Sequence, residues 1–208
     1  MMLKVDDERV LRVITYLSIN KDTYENITQR IPYNHMGATI TDAILQSGMN
    51  YKNVVYPRIL EILSKYPTFK STCDFIILFQ TVSLEKIIRW NNPKKLNLIY
   101  DLTWFFYNKQ IENEYQLSKW LSLDANVDEL LKFNGIGYKT VDYLKLLTGQ
   151  QAIPIDRHMY QFLNLAGVYV KSYSEASKIL KSVAHILNIG ESILDYRIWA
   201  YMSGNYTQ

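Results

Sequence analysis

Residues 130–147 read LLKFNGIGYKTVDYLKLL, and this stretch decides how the chain is expected to fold. The end of one apolar helix is followed by Gly135, Ile136 and Gly137, and a second apolar helix begins directly after them. Two glycines on either side of an aliphatic residue predict a tight turn with outward-facing backbone N–H groups. Those donors and the N-terminus of the second helix together suit a phosphate oxygen. The stretch predicts either a hairpin that binds a phosphate backbone independently of base sequence or an ordinary interhelical turn with a glycine C-cap.

On both sides of this stretch the sequence keeps the pattern of amphipathic helices. Asn92 precedes Pro93, and a capping side chain before a first-turn proline predicts a helix start. No alternating run long enough to form a sheet is present. The sequence therefore predicts an all-α fold of about ten short helices. Two capping boxes predict further helix starts, at Asn126 with Glu129 and at Ser172 with Glu175.

The composition is that of an ordinary soluble globular protein, since 48% of the 208 residues are hydrophobic and 21% are charged. The formal net charge of +3 permits a nucleic-acid partner but does not by itself indicate one. The single cysteine, Cys73, excludes an internal disulfide, and the three histidines show no metal-ligand spacing. The charged N-terminus is unlike a signal peptide, and no stretch approaches the roughly 20 apolar residues of a membrane span. We therefore expect a cytoplasmic protein with no membrane partner and no metal.

The order of motifs from the hairpin onward resembles the helix-hairpin-helix DNA glycosylase superfamily. That superfamily includes endonuclease III, the adenine glycosylase that acts on mispairs, and the 8-oxoguanine glycosylases. Its members show a hairpin, a loop containing glycine and proline, and then an aspartate that opens the next helix. This sequence has the hairpin at 135–137, Gly149 and Pro154 in the loop, and Asp156 at the start of the next apolar helix. The match in order and spacing over about forty residues identifies the chain as similar to this superfamily.

Lys139 is the candidate nucleophile that the resemblance implies. In the lyase-competent branch a lysine stands two residues after the second glycine of the hairpin, and Lys139 occupies that position. Branches that only remove the base carry another residue there. A helix N-terminus and partial burial both disfavour an ammonium, which favours a reactive amine. The alternative is a solvated lysine that touches phosphate.

Asp156 has two compatible interpretations. Aspartate before a helix is a favoured N-cap. By resemblance, Asp156 is also the carboxylate that stabilises the positive charge growing on the sugar as the base leaves. His158 is expected to be a hydrogen-bonded packing residue rather than a catalyst. Asp142 is expected to be an ordinary exposed residue, although it lies close enough in sequence to tune Lys139.

Residues 41–51, TDAILQSGMNY, resemble the superfamily segment in which a helix ends in a glutamine that enters the gap left by the flipped base. Gln46 is the candidate plug, and Tyr51 is a candidate wedge. A polar helix end followed by glycine would look the same, so a purely structural role stays open.

The chain departs from the endonuclease III branch in its cysteines. Relatives of that enzyme carry four cysteines after the catalytic lobe, where they bind an iron–sulfur cluster. Cys73 is the single cysteine of this chain, so we expect a relative without the cluster and without any other cofactor. The base that is removed stays open among oxidised pyrimidine, 8-oxoguanine and mismatched thymine.

The resemblance implies two helical lobes that flank a cleft. Residues 34–150 would form a helical barrel lobe ending in the hairpin, and 1–33 with 151–208 would form the second lobe. A stacked base cannot be attacked, so the nucleotide must be flipped out of the duplex. The expected protein is a monomeric base-excision glycosylase and AP lyase that acts on double-stranded DNA containing a damaged or mismatched base. The alternatives are a monofunctional glycosylase that uses water and a non-catalytic helix-hairpin-helix DNA-binding protein.

Overall fold

The computed structural model describes residues 7–19 and 31–203, and the regular secondary structure of this part of the chain is entirely helical. The predicted all-α class is confirmed, since these residues form α-helices and no strand. A π-helical turn at Tyr51–Val55 leads directly into the third α-helix. The α-helices of the described residues are α1 (Glu8–Ile19), α2 (Met36–Leu45), α3 (Tyr56–Lys65), α4 (Thr72–Thr81), α5 (Leu84–Ile88), α6 (Pro93–Asn108), α7 (Glu114–Leu121), α8 (Asp124–Leu130), α9 (Tyr138–Leu147), α10 (Arg157–Leu165), α11 (Tyr173–Ile186) and α12 (Glu191–Ser203).

The chain divides into two compact units. The central unit is Ile31–Gln150, and the terminal unit combines Met1–Arg30 with Gln151–Gln208. The functional lobes predicted from the sequence, 34–150 and 1–33 with 151–208, stay a prediction. Parts of the predicted second lobe, at 1–6, 20–30 and 204–208, lie outside the described residues.

The central unit is built around α2, a helix whose ten residues are all buried. It packs against α3, α4, α6 and α9. A Cβ atom at Gly37 would lie 2.5 Å from Phe75 Cδ2, closer than carbon atoms approach one another. Only glycine fits at this point, because the Phe75 ring of α4 packs directly against the backbone of α2.

Polar side chains hold the buried N-terminus of α2. His35 is the N-cap, and its Nδ1 accepts a hydrogen bond from the Ala38 N–H at 3.2 Å. Its Nε2 lies 3.1 Å from the Tyr66 carbonyl oxygen, which accepts from an Nε2–H. Glu114 accepts hydrogen bonds from the His35 N–H at 2.7 Å and from the Thr39 hydroxyl at 2.9 Å. These contacts supply partners for the donors that the start of a helix cannot satisfy internally.

The terminal unit has its own core, formed by α1 and α10–α12. Val10, Val13 and Leu17 lie on one face of α1 at spacings of three and four, and all three are buried. Helix α1 packs against α11, and Arg9 forms an ion pair with Glu175 across this contact at 2.5 Å. No helix in the described part of the chain has both the length and the apolar character needed to cross a bilayer.

Candidate nucleic-acid interface and catalytic residues

The predicted hairpin is present between α8 and α9. The Phe133 N–H donates to the Leu130 carbonyl at 3.0 Å, and the Ile136 N–H donates to the Phe133 carbonyl at 3.0 Å. Ile136 is buried in the core of the central unit. Its side chain anchors the turn, and its N–H is already used within the turn. The start of α9, directly after the turn, has no side-chain cap, so a ligand can approach its backbone N–H groups.

The two glycines of the hairpin have different structural roles. Gly135 has a φ of +99°, a conformation that side-chain-bearing residues rarely adopt, and a Cβ there would lie 3.2 Å from Leu98 Cδ2. Gly137 is the N-cap of α9 with φ −120° and ψ 179°, which any residue can adopt. A Cβ at Gly137 would meet no atom within 4 Å. The fold thus requires glycine at 135, whereas glycine at 137 leaves open space beside the start of α9.

Lys139 lies in the first turn of α9 and is half-buried. Within residues 7–19 and 31–203, its ammonium has neither an ion pair nor a hydrogen bond. The helix lacks a side-chain cap at Gly137, so its first N–H groups and this amine lie at the same end of α9. Such an arrangement can bind an anion and present a lysine beside it.

A second lysine, which no sequence motif indicates, lies near Lys139. Lys95, in the first turn of α6, donates from Nζ to the carbonyls of Ile44 at 2.7 Å, Ser47 at 2.8 Å and Leu45 at 3.3 Å. Burial lowers the pKa of Lys95, and the positive charge of Lys139 lowers it further. The sequence spacing between Lys95 and the end of α2 is about fifty residues, so no local motif could have revealed this contact.

Gln46 is the C-cap of α2, and its backbone N–H donates to the Asp42 carbonyl at 3.0 Å. Its side-chain amide nitrogen is buried and has no hydrogen-bond partner among the described residues. To enter a duplex, this side chain would have to rotate outward. An unpartnered amide loses no hydrogen bond in doing so.

Tyr51 is held by a chain of hydrogen bonds that leads into α2. Its hydroxyl lies 3.2 Å from that of Tyr33, which donates to Asp42 Oδ2 at 2.8 Å. Tyr143, on α9, donates to Asp42 Oδ1 at 3.2 Å. Asp42 is fully buried, and hydroxyl donors supply the hydrogen bonds that a buried carboxylate needs. Tyr51 is therefore anchored at its hydroxyl, whereas the Gln46 amide is not anchored.

The expectation that Asp142 is an exposed residue is wrong. Its exposed fraction is 9%, and its carboxylate lies 4.0 Å from the Lys145 ammonium one turn along α9. The nearby Lys145 ammonium offsets part of the cost of burying this charge.

Asp156 caps α10 in the terminal unit. Its Oδ1 accepts hydrogen bonds from the His158 N–H at 2.8 Å and the Met159 N–H at 3.2 Å. Its Oδ2 lies 3.2 Å from His158 Nδ1, close enough for an Nδ1–H to donate. His158 is hydrogen-bonded as expected, and its partner is the candidate catalytic carboxylate itself. Asp156 is thus fixed at both oxygens by its own helix.

The structure brings Gln46, Tyr51, the hairpin and Lys139 into the central unit and places Asp156 in the terminal unit. Within the central unit, Lys95 connects the end of α2 with the neighbourhood of Lys139. Among the described residues, no group of three histidine, cysteine or carboxylate side chains is arranged to hold a metal ion.

A family model and a solved structure both match this chain. A family described as a domain of unknown function, DUF8548, matches residues 106–203, a range that contains the hairpin, Lys139 and Asp156. Among solved structures, the chain is similar to the crystal structure of the 8-oxoguanine DNA glycosylase of Methanocaldococcus jannaschii. The two share 15% sequence identity with a TM-score of 0.58, over 96% of this chain and 95% of that one. The chain therefore has the all-helical fold of that DNA glycosylase.

Proposed function

We propose that this protein is a base-excision DNA glycosylase with AP lyase activity, in which Lys139 is the nucleophile. The observation that carries the proposal is the position of Lys139 in a glycosylase fold. Its unpaired amine lies in the first turn of the helix that follows the hairpin, beside the open space at Gly137. The hairpin backbone would bind a phosphate of the duplex, and the damaged or mismatched nucleotide would be flipped out of the stack.

The reaction proceeds through a covalent intermediate. The neutral Lys139 amine attacks C1′ of the flipped nucleotide, the N-glycosidic bond breaks, and the base leaves with a proton. Ring opening gives a Schiff base between Nζ and C1′. Loss of a proton from C2′ then expels the 3′ phosphate by β-elimination, and water releases the lysine. Asp156 stabilises the positive charge on the sugar in this proposal.

Borohydride trapping tests the role of Lys139, because reduction of the Schiff base leaves a stable protein–DNA adduct. The substrates are duplexes that each carry one defined lesion, including 8-oxoguanine, the base named for the M. jannaschii structure. We expect the wild-type protein to form the adduct and Lys139→Gln to lose it while still binding DNA. Lys145→Gln is the matched control, because Lys145 lies on the same helix and faces Asp142 instead. This variant should still trap.

Three outcomes separate the proposal from its alternatives. Adduct formation by Lys139→Gln at the wild-type rate would place the nucleophile elsewhere. Base release that yields strand breaks only after alkali treatment would indicate a monofunctional glycosylase that uses water. Duplex binding without base release on any lesion would indicate a non-catalytic DNA-binding protein.

A further inference from the structure

Lys95 holds the end of α2 in an unusual way. Its ammonium has three N–H donors, and three backbone carbonyls lie within hydrogen-bond distance, those of Ile44, Leu45 and Ser47. With its donors occupied in this way, Lys95 has none left for a DNA phosphate. A contact with the last carbonyls of a helix is favourable, because a cation there opposes the negative end of the helix dipole.

The position of Lys95 is electrostatically unfavourable in other respects. The side chain is half-buried, and no carboxylate in the described part of the chain forms an ion pair with it. A second cation, Lys139, lies near enough to lower the pKa of Lys95. A partly desolvated charge without a counter-charge costs free energy. An uncharged cap at the end of α2 would avoid this cost. Helix capping alone therefore does not explain why a charged lysine occupies position 95.

The contacts of Lys95 bracket Gln46. The carbonyl of Leu45 precedes Gln46 and that of Ser47 follows it, and both accept hydrogen bonds from the same ammonium. The backbone at Gln46 is therefore fixed on both sides. The side-chain amide nitrogen of Gln46, in contrast, has no hydrogen-bond partner among the described residues. A fixed backbone combined with an unpartnered side chain is suited to a group that moves into a new environment on binding.

We infer that Lys95 is a positioning residue, which clamps the backbone around Gln46 so that its side chain can enter the space vacated by a flipped nucleotide. This inference rests on the proposed function, because it needs a duplex from which a base is unstacked. Without the clamp, residues 46–50 lose a fixed starting geometry, and binding energy must first be used to order them.

The test follows base unstacking without requiring catalysis. A duplex carries 2-aminopurine at the target position, and its fluorescence rises when the base leaves the stack. We expect Lys95→Met to slow this rise by about tenfold, whereas Lys95→Arg, which keeps the charge and has five donors, should recover most of the rate. Lys94→Met is the matched control, because Lys94 is exposed and the substitution removes the same charge one residue away. That variant should behave like the wild type.

A second readout excludes a general loss of structure. Trapping of Lys139 on single-stranded DNA with a pre-formed abasic site needs no unstacking. Any change that Lys95→Met causes there, including the loss of a positive charge near Lys139, should therefore be much smaller than the tenfold loss on the duplex. In a Gln46→Ala background, Lys95→Met should cause no further loss of unstacking rate, since both changes act on one step. Should Lys95→Met fail to fold, Lys95→Gln, which keeps two donors, replaces it in each assay.

Several results would overturn the inference. These are equal unstacking rates in Lys95→Met and the wild type, equal losses on duplex and single-stranded DNA, additive effects with Gln46→Ala, and no fluorescence rise with the wild type. Failure of the proposed function would look different. In that case the wild type raises the fluorescence, but borohydride traps no adduct.

Discussion

Asp156 combines two tasks in one carboxylate. Its Oδ1 caps α10 through the His158 and Met159 N–H groups, and its Oδ2 faces His158 Nδ1. Asparagine is isosteric and caps helices equally well. Asp156→Asn therefore removes the negative charge while it keeps the structural role, which makes it possible to separate the two tasks.

We expect Asp156→Asn to slow base release by about 10²–10³, the scale for loss of one electrostatic stabiliser. The melting temperature should stay close to that of the wild type, because the cap is retained. Single-turnover base release and thermal unfolding measure the two effects separately. Borohydride trapping on a pre-formed abasic site should persist, since Lys139 is unchanged. A large fall in melting temperature with no change in base release would assign Asp156 a structural role alone.

At the scale of the element, the two glycines of the hairpin between α8 and α9 have different roles, one in the backbone conformation and one in access for a ligand. Gly135 requires a positive φ, whereas Gly137 has an ordinary extended backbone beside open space. Gly137→Val should leave the melting temperature nearly unchanged. It should weaken binding to damaged and undamaged duplexes alike, by about tenfold, because the valine side chain keeps phosphate away from the start of α9.

Gly135→Val is the contrasting variant, and it should destabilise the fold by about 1–3 kcal/mol because valine strains this conformation. Wild-type affinity should also fall steeply as salt increases, because phosphate contacts release counterions. Fluorescence anisotropy with labelled duplexes at several salt concentrations provides both measurements. Full affinity in Gly137→Val, or affinity that does not depend on salt, would contradict phosphate binding at the hairpin.

The accuracy of the sequence predictions depended on whether the deciding interactions were local. Asn92 and Ser172 cap α6 and α11, because each side chain accepts a hydrogen bond from a backbone N–H three residues away. The capping box predicted at Ser172 is only half formed, since the Glu175 carboxylate accepts from the Lys171 N–H instead of the Ser172 N–H. The capping box at Asn126 is wrong, since α8 begins at Asp124 and the Asn126 side chain donates instead to the Trp120 carbonyl at 2.8 Å. The local sequence around an asparagine is the same whether its side chain caps a helix or bonds to a preceding carbonyl. The fold of the surrounding chain determines which of the two bonds forms.

The candidate site shows the same division between local and distant interactions. The glycines of the hairpin, Lys139 and the Asp156 cap lie in continuous sequence, so their local geometry could be anticipated. The contact of Lys95 with the end of α2 arises from packing between helices that are distant in sequence. The burial of Asp142 depends on which face of α9 packs inward. Hydrophobic periodicity does not identify which charged residues end up on such a face.

At the scale of the whole molecule, His35 gives the stability a dependence on pH. Burial lowers the pKa of His35 from its ordinary value of 6.5, and this outweighs the Tyr66 carbonyl, which favours the charged form. The unfolded chain thus takes up this proton at a higher pH than the folded protein does. The contribution of neutral His35 to the stability of the fold is therefore complete above pH 6.5 and is lost as the pH falls below that value. Protonation at Nδ1 would also remove the acceptor for the Ala38 N–H.

We expect the free energy of unfolding to decrease below the ordinary pKa of His35 with a slope of up to about 1.4 kcal/mol per pH unit, the value for one proton. His35→Asn keeps a cap but does not titrate, so its stability should vary less over this range. Four carboxyl groups also have lowered pKa values, and they affect stability only in more acidic solutions, where carboxylates take up protons. These groups are Asp7, Asp74, Glu61 and Glu175. Urea unfolding at several pH values measures the slope, and identical slopes in both proteins would contradict the role of His35.

The terminal unit combines segments that precede and follow the central unit in sequence, and this has a consequence for synthesis on the ribosome. Arg9 and Glu175, which pair across α1 and α11, are 166 residues apart in sequence. At about 5–20 residues per second, translation separates the two partners by roughly 8–33 s. During that interval α1 has left or is leaving the exit tunnel with Val10, Val13 and Leu17 uncovered by their final neighbours. Residues 31–150 are completed first, so the nascent chain carries a helix with an uncovered apolar face that chaperones can bind before its partner helix is made.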